Sequence, residues 1–172
     1  MAVNQAPDIH NLIICGNIFI RKDGKYLLMK RSPLKKLAPG VVHPFGGKID
    51  LNEDSYEGAR REVFEETGLC VKNMKLEAII LEILPPPKDI AHNQLIFHFS
   101  ADYESGELNV NEEGEPIWLI AEEIFTQKLF PSVRETIRHI LNPKDGTVFA
   151  SFEYDDTGEI MQETKKINVC AL

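Results

Sequence analysis

Residues 61–68 read REVFEETG, and this octet constrains the chain more than any other stretch. On a helix, Glu62, Glu65 and Glu66 share one face, where like charges repel by a few tenths of a kcal/mol per pair. The fold must therefore bathe that face in water or bring a counter-charge to it. The flanking residues favour the helix: Asp54 is a suitable N-cap with Glu57 at the capping-box position, and Gly68 stands where a helix ends. A helix over about 54–67 is predicted, burying Ala59, Val63 and Tyr56, with Phe64 helping to fix it.

Around this helix the chain reads as strands. NLIICGNIFI (11–20) and KYLLMKR (25–31) are apolar runs separated by RKDG, whose Asp23 and Gly24 suit a hairpin turn. SPLKKLAPG (32–40) carries two prolines and a glycine, so it reads as a loop, followed by a short extended piece at VVHPF. Strands are predicted at 74–84, 94–103 and 115–120, the first two separated by PPPKD. Helical spacing returns in PSVRETIRHIL (131–141), through Val133, Ile137, Ile140 and Leu141. In the tail, TVFASFEYDDTGEIMQE alternates on both sides of Asp155–Gly158, which predicts a closing β-hairpin turning there. The mixture predicts an α+β fold, an α/β/α sandwich with a mixed β-sheet between helices. One domain is expected over 1–172, with a core at about 10–142 and the hairpin as a C-terminal extension over 143–172.

Net charge of −8 and a pI near 5.2 argue against a broad basic footprint for nucleic-acid polymers. Cys15, Cys70 and Cys170 are odd in number and far apart, so neither a disulfide framework nor a zinc site is expected, and a reducing cytoplasm fits. The apolar run near the N-terminus is interrupted by His10, Asn11 and Asn17 and lacks a preceding positive region, which makes it a poor signal peptide. No run is long enough to span a membrane. His10, His43, His92, His98 and His139 do not cluster, and none is assigned to catalysis.

The octet closes a longer constellation, GKIDLNEDSYEGARREVFEETGL, in which Gly47, Glu53, Arg61, Glu62, Glu65, Glu66 and Gly68 hold fixed spacings. Their chance coincidence is on the order of 10⁻⁹ per window. Three carboxylates on one helix face make a hard-oxygen site for Mg²⁺ or Mn²⁺, and the cation removes their repulsion. An acidic protein can hold a phosphoanhydride only through such cations, which also polarise phosphoryl oxygens and activate water. Arg61 can steady the carboxylates by charge-assisted hydrogen bonds, while Gly46 and Gly47 permit close backbone approach.

The constellation resembles the Nudix box, G-x5-E-x7-R-E-U-x-E-E-x-G-U, where U is aliphatic, and every specified position is filled. The order of strands, box and closing helix is similar to the Nudix fold over about residues 10–142. The resemblance implies hydrolysis of a nucleoside diphosphate linked to a further group. It implies that Glu62, Glu65 and Glu66 bind the cation, that Arg61 orients them, and that the Gly46 carbonyl joins the coordination. Gly47, Glu53 and Gly68 then shape the box. The resemblance also implies a general base that is either Glu62 or a loop carboxylate, here Glu112, Glu113 or Glu115 with Glu113 the first choice.

Among family members the chain looks most like the MutT-type triphosphatases, which implies a nucleoside triphosphate or modified triphosphate as substrate. Arg31 and Lys48 are then candidate phosphate or substrate contacts, and Trp118 and Phe130 candidate base-stacking residues. Lys35 and Lys36 are weaker phosphate candidates than Lys48. Two departures stand out: FPSV at 130–133 lacks the paired aspartates of oxidised-purine readers, and HPFGG replaces the commoner proline-glycine-glycine entry to the box. Pro85 falls where many ADP-ribose pyrophosphatases have a proline, so a nucleotide-sugar pyrophosphatase is the alternative. A non-catalytic nucleotide-binding regulator is the second. The expected partner is a small nucleotide, with no polymer and no membrane; oligomeric state is left open.

Overall fold

The computed structural model describes residues 12–34, 38–85, 93–109, 114–142 and 146–170. Strands β1 (Leu12–Lys22) and β2 (Lys25–Arg31) form a hairpin whose two-residue turn, Asp23 and Gly24, takes φ of 49° and 74°. Positive φ at both turn positions matches the right-handed twist of the strands, hence the Asp-Gly pair. Short strands β3 (Val42–His43) and β4 (Phe45–Lys48) lead into helix α1 (Ser55–Thr67). Then follow β5 (Cys70–Ile83), β6 (Asn93–Ser105), β7 (Gly114–Leu119), α2 (Ala121–Ile124), α3 (Pro131–Leu141), β8 (Thr147–Glu153) and β9 (Lys166–Cys170).

The strands make one mixed sheet in the order β3-β2-β1-β6-β5-β8-β9, with β4 attached to β1 and β7 to β2. The β1–β6 and β5–β8 joins are parallel and the others antiparallel. Alternation along β1 and β2 divides the core between the two faces. Ile18, Ile20, Leu27 and Met29 pack with Ala59 and Val63 of α1, whereas Phe19 and Leu28 pack with Val133, Ile137 and Ile140 of α3. A third apolar cluster joins Ala78, Ile80, Ile96, Val148, Ala150 and Phe152 across β5, β6 and β8. Complete burial of each large aliphatic side chain contributes about 1.5–3 kcal/mol, so the sandwich holds α1 firmly over β1 and β4. This is the α+β arrangement expected, and among the described residues no helix is long and apolar enough to cross a membrane.

Two details differ from the sequence expectation. Phe64 is 54% exposed and Tyr56 41% exposed; α1 instead buries Gly58, Ala59, Val63 and Thr67. Phe64 lies about 100° round the helix from Val63, away from the sheet, and Tyr56 in the first turn meets Phe99 edge-on while the Arg60 guanidinium lies over its ring. In the tail, the turn at Asp155–Gly158 forms, with Asp155 Oδ1 accepting from the backbone of Thr157 and Glu159, and a bridge closes Tyr154 on Ile160. The strand that pairs with β8 is nevertheless Lys166–Cys170, beyond that turn. β8 itself adds in parallel to β5, so the hairpin is built onto the main sheet rather than hung from it.

Candidate functional site

The helix carrying the octet is fixed at both ends by its own sequence. Asp54 Oδ1 accepts from the backbone N–H groups of Tyr56 at 2.8 Å and Glu57 at 3.0 Å. A cap of this kind contributes about 1 kcal/mol. Gly68, at φ 72°, ends the helix by donating its N–H to the Phe64 carbonyl at 2.7 Å. With Ala59 and Val63 buried against the sheet, Glu62 and Glu66 are turned toward β4 and Glu65 toward solvent.

Arg61 supplies the missing counter-charge. Its Nε and Nη2 fork onto Glu53 at 3.1 and 2.6 Å, and its Nη1 reaches Glu62 Oε1 at 2.9 Å and Glu65 Oε2 at 3.2 Å. Nη2 also donates to the Lys48 carbonyl at 3.1 Å, which ties the helix to the end of β4. Such forked contacts suit the planar guanidinium and no other side chain. Hydrogen bonding from Arg61, helped by the Asp50 N–H at 2.8 Å, holds the Glu53 carboxyl below the usual carboxylate range. The Arg61 guanidinium is in turn pushed up, first by Glu53 and then by Glu62, so its charge is permanent.

The two glycines serve different purposes. Gly46 has φ 141°, a conformation that L side chains rarely adopt, and its N–H donates to Glu66 Oε2 at 3.1 Å. A Cβ there would lie 2.7 Å from the Asn17 Cα on β1. At Gly47 a Cβ would lie 2.7 Å from the Glu62 Cδ, so the missing side chain is what lets Glu62 rest against the β4 backbone.

The donors for a hard cation are thus gathered on α1 and β4, and their all-oxygen chemistry fits Mg²⁺ or Mn²⁺. Among the described residues no group of three His, Cys, Asp or Glu side chains already converges at metal-ligand spacing. The reason is visible: Glu62 and Glu65 lean on Arg61, and Glu66 on the Gly46 N–H.

The other predicted residues scatter. Lys48, exposed at the end of β4, adjoins the cluster. Arg31 ends β2 opposite Gly114 of β7. Trp118, paired with Leu27, packs into the α1-side core, while Phe130, at the start of α3, packs on the opposite face with its ring 6.3 Å from that of Tyr154. The sheet therefore does not bring the two aromatics together. Glu115 is exposed on β7 opposite Lys30. Glu112, Glu113, Lys35, Lys36 and residues 86–89 of PPPKD lie outside the described residues, whereas Pro85 is the last described residue after β5.

Two residues at the site were not singled out from sequence. Asp50 supplies a backbone N–H to Glu53 and stands 3.9 Å from Arg61. Asn17 pairs with Gly46 across β1–β4, and its Nδ2 lies 3.3 Å from Nε2 of His98. Burial, followed by the nearby His43, pushes the His98 imidazole down to about 3, so it is neutral. The only sequence signal for Asn17 was a lone amide inside an apolar strand.

Known proteins are similar to this chain in sequence and in fold. The family model described as NUDIX domain matches residues 13–140. An NAD-capped RNA hydrolase NudC from Mannheimia succiniciproducens is 32% identical over 105 residues, covering 59% of this chain and 37% of that protein. The chain therefore spans well under half the length of that relative. An oxidized purine nucleoside triphosphate hydrolase from Mus musculus is 31% identical over 119 residues, covering 69% of this chain and 74% of that protein. In fold, the chain is similar to the crystal structure of a MutT protein from Bacillus halodurans, with a TM-score of 0.79, 23% identity, and 91% of this chain and 98% of that chain covered. With the box residues gathered around Arg61 and the domain match running from β1 through α3, the chain belongs to the Nudix hydrolase family.

Proposed function

We propose that the protein is a Mg²⁺- or Mn²⁺-dependent pyrophosphohydrolase that cleaves a phosphoanhydride bond of a nucleoside diphosphate linked to a further group. Its substrate class is a nucleoside triphosphate, ordinary or modified. The observation that carries this reading is the Arg61 hub, which spans Glu53, Glu62 and Glu65 and holds a repelling carboxylate face in one arrangement. A purely structural ion pair does not require two further carboxylates beside the first.

In this reading Glu62, Glu65, Glu66 and the Gly46 carbonyl hold the cation, which when bound supplies charge neutralisation at the phosphates and an acidified water. Arg61 keeps the Glu62 Oε1 oriented, leaving Oε2 on the Gly47 side to accept the proton of the attacking water, a role that Glu113 is the alternative to fill. Lys48 stands next to the cluster as a phosphate contact, and Arg31 and Trp118 are the remaining substrate candidates. Phe130, partly buried beside Tyr154 on the opposite face from Trp118, is the weakest of the four. The relative covered over most of its length acts, by its name, on oxidized purine nucleoside triphosphates, which supports the triphosphate class. The three free thiols fit a reducing cytoplasm.

A second reading is favoured by the similarity to NudC: cleavage of the pyrophosphate of an NAD-type dinucleotide, including one at the end of an RNA. Acidic composition alone does not exclude that polymer, because the cap rather than the chain enters the site. Product release with Mg²⁺ from a panel of ordinary and oxidised triphosphates, ADP-ribose, dinucleoside polyphosphates, NADH and NAD-capped RNA separates the readings. The triphosphates are expected to lead. Glu65→Gln is expected to lose more activity than the about 10- to 100-fold that removal of an outer contact costs, and chelation with EDTA to abolish turnover. Equal, slow rates for wild type and variant on every compound would establish a binding protein instead.

A further inference from the structure

One end of the sheet is protected and the other is not. At the first, the outer strand is β7, which pairs with β2 on the side away from β1 and β3 and is blunted by Pro116 and the exposed Glu115. At the other, β9 is exposed at all five positions and, among the described residues, pairs only with β8. A strand edge presents a row of unpaired N–H and C=O groups, and proteins usually blunt it with charges, proline, bulges or shortness. β9 has none of these except Lys166: its register with β8 runs through five consecutive pairs without a shift. Ile167 and Val169 are 41% and 55% exposed.

The edge is also held in place. Lys165 Nζ bonds Glu135 of α3 at 3.0 Å, and Arg134 of α3 bonds Glu159 at 2.9 Å, so the segment leading into β9 is tied to the body. A prepositioned strand loses less conformational freedom on pairing than a loose one.

We propose that β9 is a self-association edge, on which a second copy of this chain pairs its own β9 antiparallel about a two-fold axis through Asn168. The strand sequence KINVC is complementary to itself in that register. Lys166 meets Cys170, Ile167 meets Val169, and Asn168 meets its own counterpart. No like charges oppose each other, and the apolar residues meet on one face. Opposed apolar and amide pairs of this kind are stabilising, whereas like charges directly opposite are not. The two sheets then continue as one. A five-residue edge falls short of the roughly 1,200 Å² of a standard stable interface, so the pair exchanges with the single chain.

Sedimentation equilibrium over a concentration series through the micromolar to sub-millimolar range tests this. The mass is expected to rise from 19.5 kDa toward twice that value. Ile167→Lys with Val169→Lys sets like charges opposite each other twice and is expected to weaken association about tenfold or more. Ile167→Lys with Val169→Glu restores opposite charges and recovers it. Register is read by Lys166→Cys: antiparallel pairs lie about 4.5 to 5.5 Å apart at Cα, within disulfide reach, so mild oxidation links the new thiol to the partner's Cys170. All these positions are exposed, and unchanged circular dichroism and unfolding midpoints confirm that each variant is folded. A mass of 19.5 kDa at every concentration, association indifferent to the paired lysines, or a disulfide mapped to other positions overturns the proposal.

Discussion

Neighbouring glycines at the site are expected to fail in different ways when given a methyl group, one in activity alone and the other in stability as well. In Gly47→Ala the new Cβ lies 2.7 Å from Glu62 Cδ, whereas non-bonded carbons rest at about 3.5 to 4.0 Å. The Glu62 carboxyl must retreat by roughly 1 Å, which its side chain can do by rotation. Misplacement of a reacting or ligating group by that distance can cost on the order of 10²-fold in rate. We expect kcat/KM to fall by about 10²-fold, with Mg²⁺ dependence shifted to higher concentration, while stability changes by less than about 1 kcal/mol, or roughly 2–4 °C in Tm. In Gly46→Ala the obstacle is the β1 backbone, with Asn17 Cα at 2.7 Å, and φ is 141°. A strained backbone position alone costs about 1–3 kcal/mol, so this variant is expected to lose several degrees of Tm as well as activity. Steady-state kinetics with a magnesium titration, run beside thermal unfolding, separate the two. Full activity in Gly47→Ala at unchanged Mg²⁺ dependence would refute the view that Glu62 must rest against β4.

Arg61→Lys keeps the charge but cannot fork onto Glu53 while reaching Glu62, so activity is expected to fall at least tenfold and stability by about 1–2 kcal/mol, measured by turnover and urea unfolding. Because Arg61 depresses the Glu53 carboxyl, the stabilisation it gives is complete above the ordinary value of 4.5 and fades as pH falls through the lowered one. Glu53→Gln should flatten that acid limb of the Tm–pH curve. Glu82 behaves oppositely: burial raises its carboxyl, against hydrogen bonds from Ser132 and Tyr154. Its contribution is fully present below 4.5 and is lost as pH rises through the raised value, so Glu82→Gln is expected to be more stable relative to wild type at pH 8 than at pH 4, by thermal scans at both.

Much of helix α1 was legible because its signals are local. Asp54, Gly68 and the spacing of Ala59 and Val63 act within a few residues of themselves, and the helix they predict is the helix observed. The same holds for the Asp23-Gly24 turn, whose backbone preference needs no tertiary partner. Phe64 was misread because an apolar residue in a helix can face either way, and only the position of the sheet settles which. The tail was half legible: its turn formed, but the partner of β8 lies farther along the chain at Lys166–Cys170, since a seven-residue edge can accept any strand of suitable pattern.

What the sequence determined by itself is the chemistry on offer, a row of carboxylates with one arginine at helical spacing and two glycines before it. Tertiary structure decided how those groups meet. Folding α1 over β4 placed the Gly46 N–H on Glu66, the Lys48 carbonyl on Arg61 and the bare Gly47 under Glu62. It also sent Trp118 and Phe130 to opposite faces of the sheet. Spacing along a helix is fixed by its own backbone hydrogen bonds, whereas contacts across a sheet depend on which strands pair and in what register.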